Sequence, residues 1–508
     1  MAKEATVDTP CAEYYEMAAK WGLIHDLLGG TQTMRDAGEK WLPIETEEKL
    51  QAYNNRVSRS FLYGALEDSI EKSASKPFSK PVTTQGDMPE ALVPMEDNID
   101  NMGRNLTQFA KDVMLDALVH GLTHIFIEFP KTIDEADADD IEERRSRLTL
   151  ADEKELGIRP YMVHIKACNM IGWRSEKDEG GREQLTQIRF RETKIEPDGE
   201  WGDTVVEYIR VWNTDSWELW KKGEDDKEYA IEDAGLHTYG GIPLVTLYTD
   251  QKGFMTATPP FEKLAWKNLE HWQKSSDRSN YVHFAGIGVI FGAGFNDQEK
   301  KRKIVIGVNQ SILVGSKDAK LSIVEHTGQA AGIMKDAIDE VVEQMVVLGL
   351  EPFLRKSGNI TATGERIDDA KQNSNMQTWV RALEIVLRQA YIISATWLRL
   401  EVPDDWKVDI FNEFGLSASA AEDIKNLITM RTAREIDRET FLKEIKRRSI
   451  LSDAVEVQDI MDALELEGPD LSDMPGPRKP GQPPEDDEEG DEGGDEFPVL
   501  PEAVGAEA

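Results

Sequence analysis

Apolar residues recur at alternating spacings of three and four from Met376 through Trp379, Leu383, Val386, Ala390 and Ile393 to Trp397. That period predicts a helix from about Gly364 to Leu398 with one face buried against protein. At roughly 1.5 Å per residue it would span about 50 Å, longer than most globular helices. Thr363 can cap its start, and Glu365 suits the positive helix end. A second long helix is predicted just before it, from Ala330 to Leu350. The two are joined by EPFLRKSGNITAT, where Pro352, Gly358 and Asn359 break the helix around Arg355 and Lys356. Two readings follow: a pair of core helices with a surface loop, or a helix, loop and backbone helix around a channel.

Residues 1–80 read as helical. One helix closes on Gly29–Gly30; a second carries Tyr53, Val57, Phe61, Leu62, Leu66 and Ile70 before Pro77 and Pro81 break it. Val82–Asp100 has no clear period and reads as loop. The next helix ends at Gly121 and hands over to the strand THIFIEFP. Ile133–Leu156 is a charged insertion with few apolar positions. The runs RPYMVHIKA, LTQIRFRET, TVVEYIRVW, SWELWKKG and IPLVTLYT read as strands, with a hairpin turn at Asn213–Ser216. The middle third is thus a sheet region mixed with helix, and the fold class is α+β. Pro259–Pro260 starts another helix, in which Leu264, Lys267 and Trp272 interleave with polar residues. A compact β-rich insert at roughly 285–328 separates it from the helix at 329–350, so the two helices can stand side by side with the insert at their far end. VPDDWKVDIFNEFG reads as an extended connector, followed by short helices up to about Leu466. Beyond Gly468 the Pro, Gly, Asp and Glu composition cannot bury enough apolar surface to fold.

Charge changes the picture. The 508 residues hold 96 Asp and Glu against 59 Lys and Arg, a net charge of −37. Gly481–Ala508 holds eleven acids and no base, so about −26 is spread over the rest. An acidic surface repels phosphate, which argues against tight duplex binding but suits a channel that lets DNA slide. Cys11 and Cys168 cannot form a disulfide framework or a four-ligand zinc site. The start MAKEATVDTPCAEYY lacks an apolar signal core, so secretion by a signal peptide is not expected. The longest apolar run, Phe284–Phe295, is twelve residues, too short for a membrane helix.

Catalytic chemistry finds little purchase. No Gly-Lys dipeptide occurs, so no phosphate-cradling P-loop is present. Gly286, Gly288 and Gly292 echo a dinucleotide loop with the wrong spacing. His120 and His124 are four apart, but they straddle the break at Gly121 and read as partly buried histidines rather than metal ligands. Asp336, Asp339, Glu340 and Glu343 could imitate a two-metal nuclease site; on one helix such acids more often form a solvated face. No cofactor is called for, and the chain reads as non-enzymatic.

The order of parts resembles the portal proteins of tailed bacteriophages, in particular a portal family long catalogued as a domain of unknown function. The resemblance is carried by TMRDAGEKWLP with YNNRVSRSFLYGALEDSI, then HGLTHIFIEFP, RPYMVHIKACNMIGWR and IPLVTLYTDQKGFMTATPPFEKLAWKNLEHWQKSSDRSNYVHFAGIGVIFGAGF. ATGERIDDAKQNSNMQTWVRALEIVLRQA and RETFLKEIKRRSIL complete a series over much of residues 30–450, and its specificity lies in the series. Residues 133–156 and those after 468 are not covered. The resemblance implies a dodecameric ring at one capsid vertex. Residues 1–258 would be wing, Pro259–His283 and Gln329–Leu350 stem helices, and Phe284–Gly328 a β-rich clip. Glu351–Thr363 would be a tunnel loop, 364–416 the long backbone helix with its connector, 417–467 a helical crown, and 468–508 a disordered acidic tail. Double-stranded DNA would pass the channel along Asp336, Asp339, Glu340 and Glu343, centred by Lys335, Arg355 and Lys356. Lys300, Lys301, Arg302 and Lys303 would meet the packaging motor or a head-completion protein. Partners would be further copies, terminase, the major capsid protein and adaptor or tail proteins, with no membrane. The particle would be assembled in the host cytoplasm, and the chain would sit in the virion at the portal vertex. The rival readings are a metal-dependent nuclease or other packaging-associated hydrolase, and a non-portal capsid adaptor or scaffold.

Overall fold

The computed structural model describes residues 5–129, 158–223, 228–237, 239–287, 289–294, 320–324, 329–349, 362–412, 414, 420–447, 451, 455 and 457–467. The chain forms two compact units, Met1–Gly415 and Leu416–Ala508. The first mixes helix and sheet, as the α+β reading expects.

It opens with α1 (Ala12–Leu28) and α2 (Gly30–Ala37). Gly29–Gly30 ends α1 as expected, but a helix resumes at once, because Gly30 turns the chain with φ +79°. The single helix predicted over the next stretch is two, α3 (Leu50–Arg59) and α4 (Ala65–Ser75). In the break at 60–64, Leu62 enters the core and Phe61 stands in solvent. Val82–Asp100 is not all loop: β1 (Thr83–Gln85) lies within it. Asn105 caps α5 (Leu106–His120) by accepting from the Gln108 N–H at 2.9 Å. Gly121 ends α5 in the left-handed region at φ +92° and turns the chain into β2 (Leu122–Glu128).

β3 (Tyr161–Ile165), β4 (Met170–Lys177), β5 (Glu183–Asp198), β6 (Gly202–Asn213), β7 (Ser216–Lys222), β8 (Tyr229–Leu236) and β9 (Leu244–Tyr248) follow. They form a three-stranded sheet in the order β3-β2-β9 and a five-stranded meander β4-β5-β6-β7-β8, all antiparallel. The turn predicted at Asn213–Ser216 joins β6 to β7 through the Trp212–Trp217 pair. The sequence pattern does not predict β4 or β8; β4 follows a short helical turn, and β8 is an edge strand with little apolar alternation. Alternate residues face opposite sides of the meander. On one side Ile188, Phe190, Tyr208 and Trp212 pack with Phe126 and Ile165. On the other, Ile209 and Val211 pack with Tyr14, Met17 and Trp21 of α1.

After the small hairpin β10 (Gln251–Gly253) and β11 (Thr256–Ala257) come α6 (Glu262–Ile287), β12 (Val289–Ala293), β13 (Lys320–Val324), α7 (Gln329–Leu348) and α8 (Ala362–Trp397). The connector after α8 contains β14 (Lys407–Asp409), which pairs antiparallel with β1. Met376, Trp379, Leu383, Val386 and Ala390 of the predicted stripe on α8 are buried; Ile393 and Trp397 are half-buried. The second unit contains α9 (Ala420–Thr432), α10 (Arg438–Arg447) and α11 (Val457–Glu467), with Leu427 and Ile445 buried. The charged insertion at 133–156 and the tail at 468–508 lie outside the described residues.

Candidate functional site

The element with the most distinctive geometry is the pair α6 and α7 with the β12–β13 hairpin between them. α6 is rooted by its first half. Leu264, Ala265, Leu269 and Trp272 are buried, and polar residues on the same face find defined partners. Asn268 accepts the Leu66 N–H at 3.0 Å and donates to the Tyr63 carbonyl at 2.9 Å. The Ser60 hydroxyl donates to Ser276 at 2.8 Å, and Arg59 donates to Asn280 at 2.9 Å. Arg56, buried, is held by Glu48 at 2.7 Å and reaches Asp277 at 3.4 Å. Past Asn280, Val282 and Phe284 are exposed.

α7 mirrors this. Its last turns bury Val341, Met345 and Val346, while Ile333 near its start is exposed. At Gly349 an added Cβ would stand 2.7 Å from the Ser69 hydroxyl and 3.5 Å from Leu264, so the end of α7 meets the start of α6. The helices are therefore antiparallel, in keeping with the Val289–Val324 to Ala293–Lys320 ladder between them. Among the described residues, the pair is packed at one end, and at the end that carries the β12–β13 ladder Val282, Phe284 and Ile333 are exposed. The helix expected over 259–283 runs from Glu262 to Ile287, four residues further. Gly286 consequently lies in a helix and Gly292 in a strand, so the two are not parts of one phosphate loop.

Asp336, Asp339, Glu340 and Glu343 are exposed along α7, with Lys335 4.0 Å from Asp339 and the Gln344 amide donating to Glu340 at 3.2 Å. They form a solvated acidic face. Among the described residues no group of three His, Cys, Asp or Glu side chains is placed to hold a metal ion. Arg355 and Lys356, and Lys300, Lys301, Arg302 and Lys303, lie outside the described residues, as does most of the clip and of the loop at 351–363. α8 begins at Ala362, two residues before the helix start expected at Gly364.

His120 and His124 diverge across Gly121 as expected, but they are fully buried rather than partly. His124 Nδ1 meets the Thr246 hydroxyl at 2.9 Å. His120 belongs to a network that sequence spacing does not reveal. Its Nδ1 lies 3.0 Å from the Asp116 carboxylate, and its Nε2 lies 2.7 Å from Nε2 of His25 on α1. Asp116 also accepts from the Thr123 hydroxyl at 2.6 Å and from the Ala167 N–H at 3.1 Å, and His164 lies 3.7 Å away. Burial opposes charge here, yet the bonds from His120 and His164 hold the Asp116 carboxyl far below the usual range. Against its own burial, His120 is pushed up to about 9 by Asp116. Burial pushes His124 down to about 3, and burial with the nearby His120 lowers His25. A charged His120 therefore donates to Asp116 on one side and to a neutral His25 on the other.

The signs of these shifts predict a pH profile. The His120 contribution is complete below the ordinary imidazole value of 6.5 and is lost as pH rises through about 9. The His124 contribution is complete above 6.5 and is lost as pH falls towards about 3. The thermal midpoint is expected to decline on both sides of a maximum near pH 6.5, with His124→Gln flattening the acid limb and His120→Gln the alkaline one. A wild-type midpoint that climbs from pH 7 to 9 would contradict the His120 assignment.

Residues 260–398 match the model of a family described as a domain of unknown function (DUF4055). No curated protein matches the chain. Among solved structures, the chain is similar to one in the neck of an empty GTA particle computed with C6 symmetry. That likeness has 8% identity and a TM-score of 0.43, over 80% of this chain and 95% of that one. A chain of the neck of a native GTA particle computed with C12 symmetry gives 9% identity and a TM-score of 0.39, over 74% and 88%. A chain of the virion of a native gene transfer agent particle gives 9% identity and a TM-score of 0.42, over 80% and 96%.

Proposed function

We propose that this chain is the portal subunit of a tailed phage or phage-like particle, a non-enzymatic component whose copies close into a ring around a DNA channel. The observation that carries this reading is the antiparallel pair α6 and α7, rooted at one end and exposing apolar residues at the end bearing the β12–β13 ladder. Helix ends that hold apolar residues such as Val282, Phe284 and Ile333 in solvent are incomplete as a monomer and suit a stem that meets neighbouring copies. A ring needs such head-to-tail contacts, each copy offering two different surfaces. The acidic face of α7 would line the channel and keep phosphate mobile, with Lys335, Arg355 and Lys356 as sparse positive rings. The hairpin end would dock terminase during packaging and connector proteins afterwards.

The test is assembly. Twelve copies of 57.2 kDa would give a particle of about 690 kDa by size-exclusion with light scattering. A central hole is expected by negative stain, in the purified chain or in the native particle. A monomer at micromolar concentration, together with no ring at a unique vertex of the particle, would sink the reading. Replacing Arg355 and Lys356 together by Ala is expected to alter packaging or DNA retention while leaving the ring intact. Divalent-metal-dependent DNA cleavage abolished by Asp339→Ala or Glu343→Ala would favour a nuclease instead.

A further inference from the structure

The β5–β6 hairpin outruns its sheet. The two strands pair from Gln187–Asn213 to Asp198–Gly202, but β4 accompanies β5 only as far as Phe190, and β7 joins β6 only from Tyr208. Residues 191–207 thus form a two-stranded arm without a third strand, and such a ribbon has marginal stability alone in water. Its two faces differ. Glu192, Lys194, Glu196 and Thr204 share one face, where Glu196 takes the Tyr208 hydroxyl and Lys221 at 2.9 Å, and Arg210 meets Glu192 at 2.9 Å. The other face continues the line of Ile209 and Val211, which α1 covers. Past the end of that cover stand Ile195 and Val205, directly paired across the strands and 72% and 68% exposed, and at the tip Trp201 is 90% exposed. That face also carries Arg191, Asp203 and Glu207, so what is left in water is the Ile195–Val205 pair with Trp201 at the tip, and an exposed apolar cluster of this kind calls for a partner.

The charges say which. From Arg191 to Glu207 the arm carries six carboxylates and two cations, and Arg191 is spent on Glu207 at 3.3 Å. Around Trp201, Asp198, Glu200 and Asp203 have no cation in reach among the described residues. The complementary surface occurs on this same chain. Trp266 of α6 is exposed and meets Trp41 edge-on with ring centroids 6.4 Å apart. Lys40 lies over Trp41 at 4.8 Å, Lys263 stands one turn before Trp266, and Lys267 stands beside it. Asp26 and Glu270 bond Lys40 and Lys267 at 2.5 and 2.8 Å, and Lys263 has no ion pair among the described residues. Trp201 and Trp266 are both exposed on one copy, so the arm does not reach its own patch.

We propose that the β5–β6 arm is a clasp. Its apolar cluster and acidic tip seat on the Trp41–Trp266 patch of a second copy, so that consecutive subunits are latched outside the stem. The inference rests on the ring reading. Arm and patch are different surfaces, so the contact is head-to-tail and closes by rotation. A buried Trp ringed by opposite charges is the anchor such an interface needs.

Two measurements test it. In the full chain, Ile195→Ser with Trp201→Ser is expected to raise the midpoint concentration for assembly at least tenfold, with an unchanged thermal midpoint in the unassembled chain because neither residue is buried. Trp201→p-benzoylphenylalanine, irradiated in the assembled state, is expected to cross-link copies to one another, with the adduct mapping to the patch around Trp41 and Trp266. A wild-type chain that stays monomeric, with no ring at a unique vertex of the native particle, defeats the ring reading itself. A wild-type ring with an unchanged midpoint in the double variant, or cross-links confined to one chain or mapping away from the patch, overturns the clasp alone.

Discussion

Asp116→Ala is expected to cost about 3–5 kcal/mol of stability, the range for removing one partner of a buried ion pair. The carboxylate accepts from Thr123 and Ala167 and faces His120 and His164, and all but the edge of the group is buried. Its loss leaves His120 beside His25 at 2.7 Å between ring nitrogens with no counter-charge. His120 must then give up its proton, so the variant should also lose the alkaline limb of the pH profile. Combining Asp116→Ala with His120→Ala is expected to cost clearly less than the sum of the single changes, since the two act as one unit. Additive losses in urea unfolding of the unassembled chain would show that the pair is not coupled.

Gly121→Ala should cost on the order of 3 kcal/mol, from two separable causes. A left-handed residue with a Cβ costs roughly 1–2 kcal/mol. The added Cβ would also stand 2.6 Å from the Thr258 carbonyl carbon and oxygen and 3.0 Å from the Pro259 nitrogen, backbone that must move at about 1–3 kcal/mol. Gly30 supplies the control. It has φ +79° and nothing within 4 Å of where a Cβ would stand, so Gly30→Ala should show the backbone cost alone. Equal losses in thermal midpoint for the two variants would mean that the α5–β2 turn does not press on the approach to α6.

What can be read from the sequence is what local spacing controls. Gly121 ends α5, the three-and-four stripe marks α8, and Asn213–Ser216 turns β6 into β7, because each signal is contained in one element. Residues 45–80 mislead because Tyr53, Val57 and Phe61 keep a four-residue spacing into the break at Ser60–Gly64, and Leu62, Leu66 and Ile70 resume it at once. Spacing alone does not mark the break, because the residue in phase there, Phe61, is apolar yet exposed, while burial passes to Leu62. The candidate site divides the same way. The acidic face of α7 is legible from four carboxylates on one helix. The contact of His25 with His120, 95 residues apart, is not, since no local pattern records which helices will touch. The arm is hidden too, because its pairing partners fix its length, and the five-stranded order is a tertiary outcome.

The pairing of β1 with β14, Thr83 with Asp409, sets a clock on synthesis. A ribosome adding about 5–20 residues per second needs roughly 20–80 s to deliver the second strand after starting the chain. Until then the first strand waits with an unsatisfied edge, and α8, which the residue just after β14 meets through the Ile410 N–H on Glu384 at 3.0 Å, has no lid on that flank. The nascent chain is thus exposed to premature association for most of its translation, and a truncation between residues 85 and 407, which keeps β1 without β14, should favour inclusion bodies over a smaller soluble fragment.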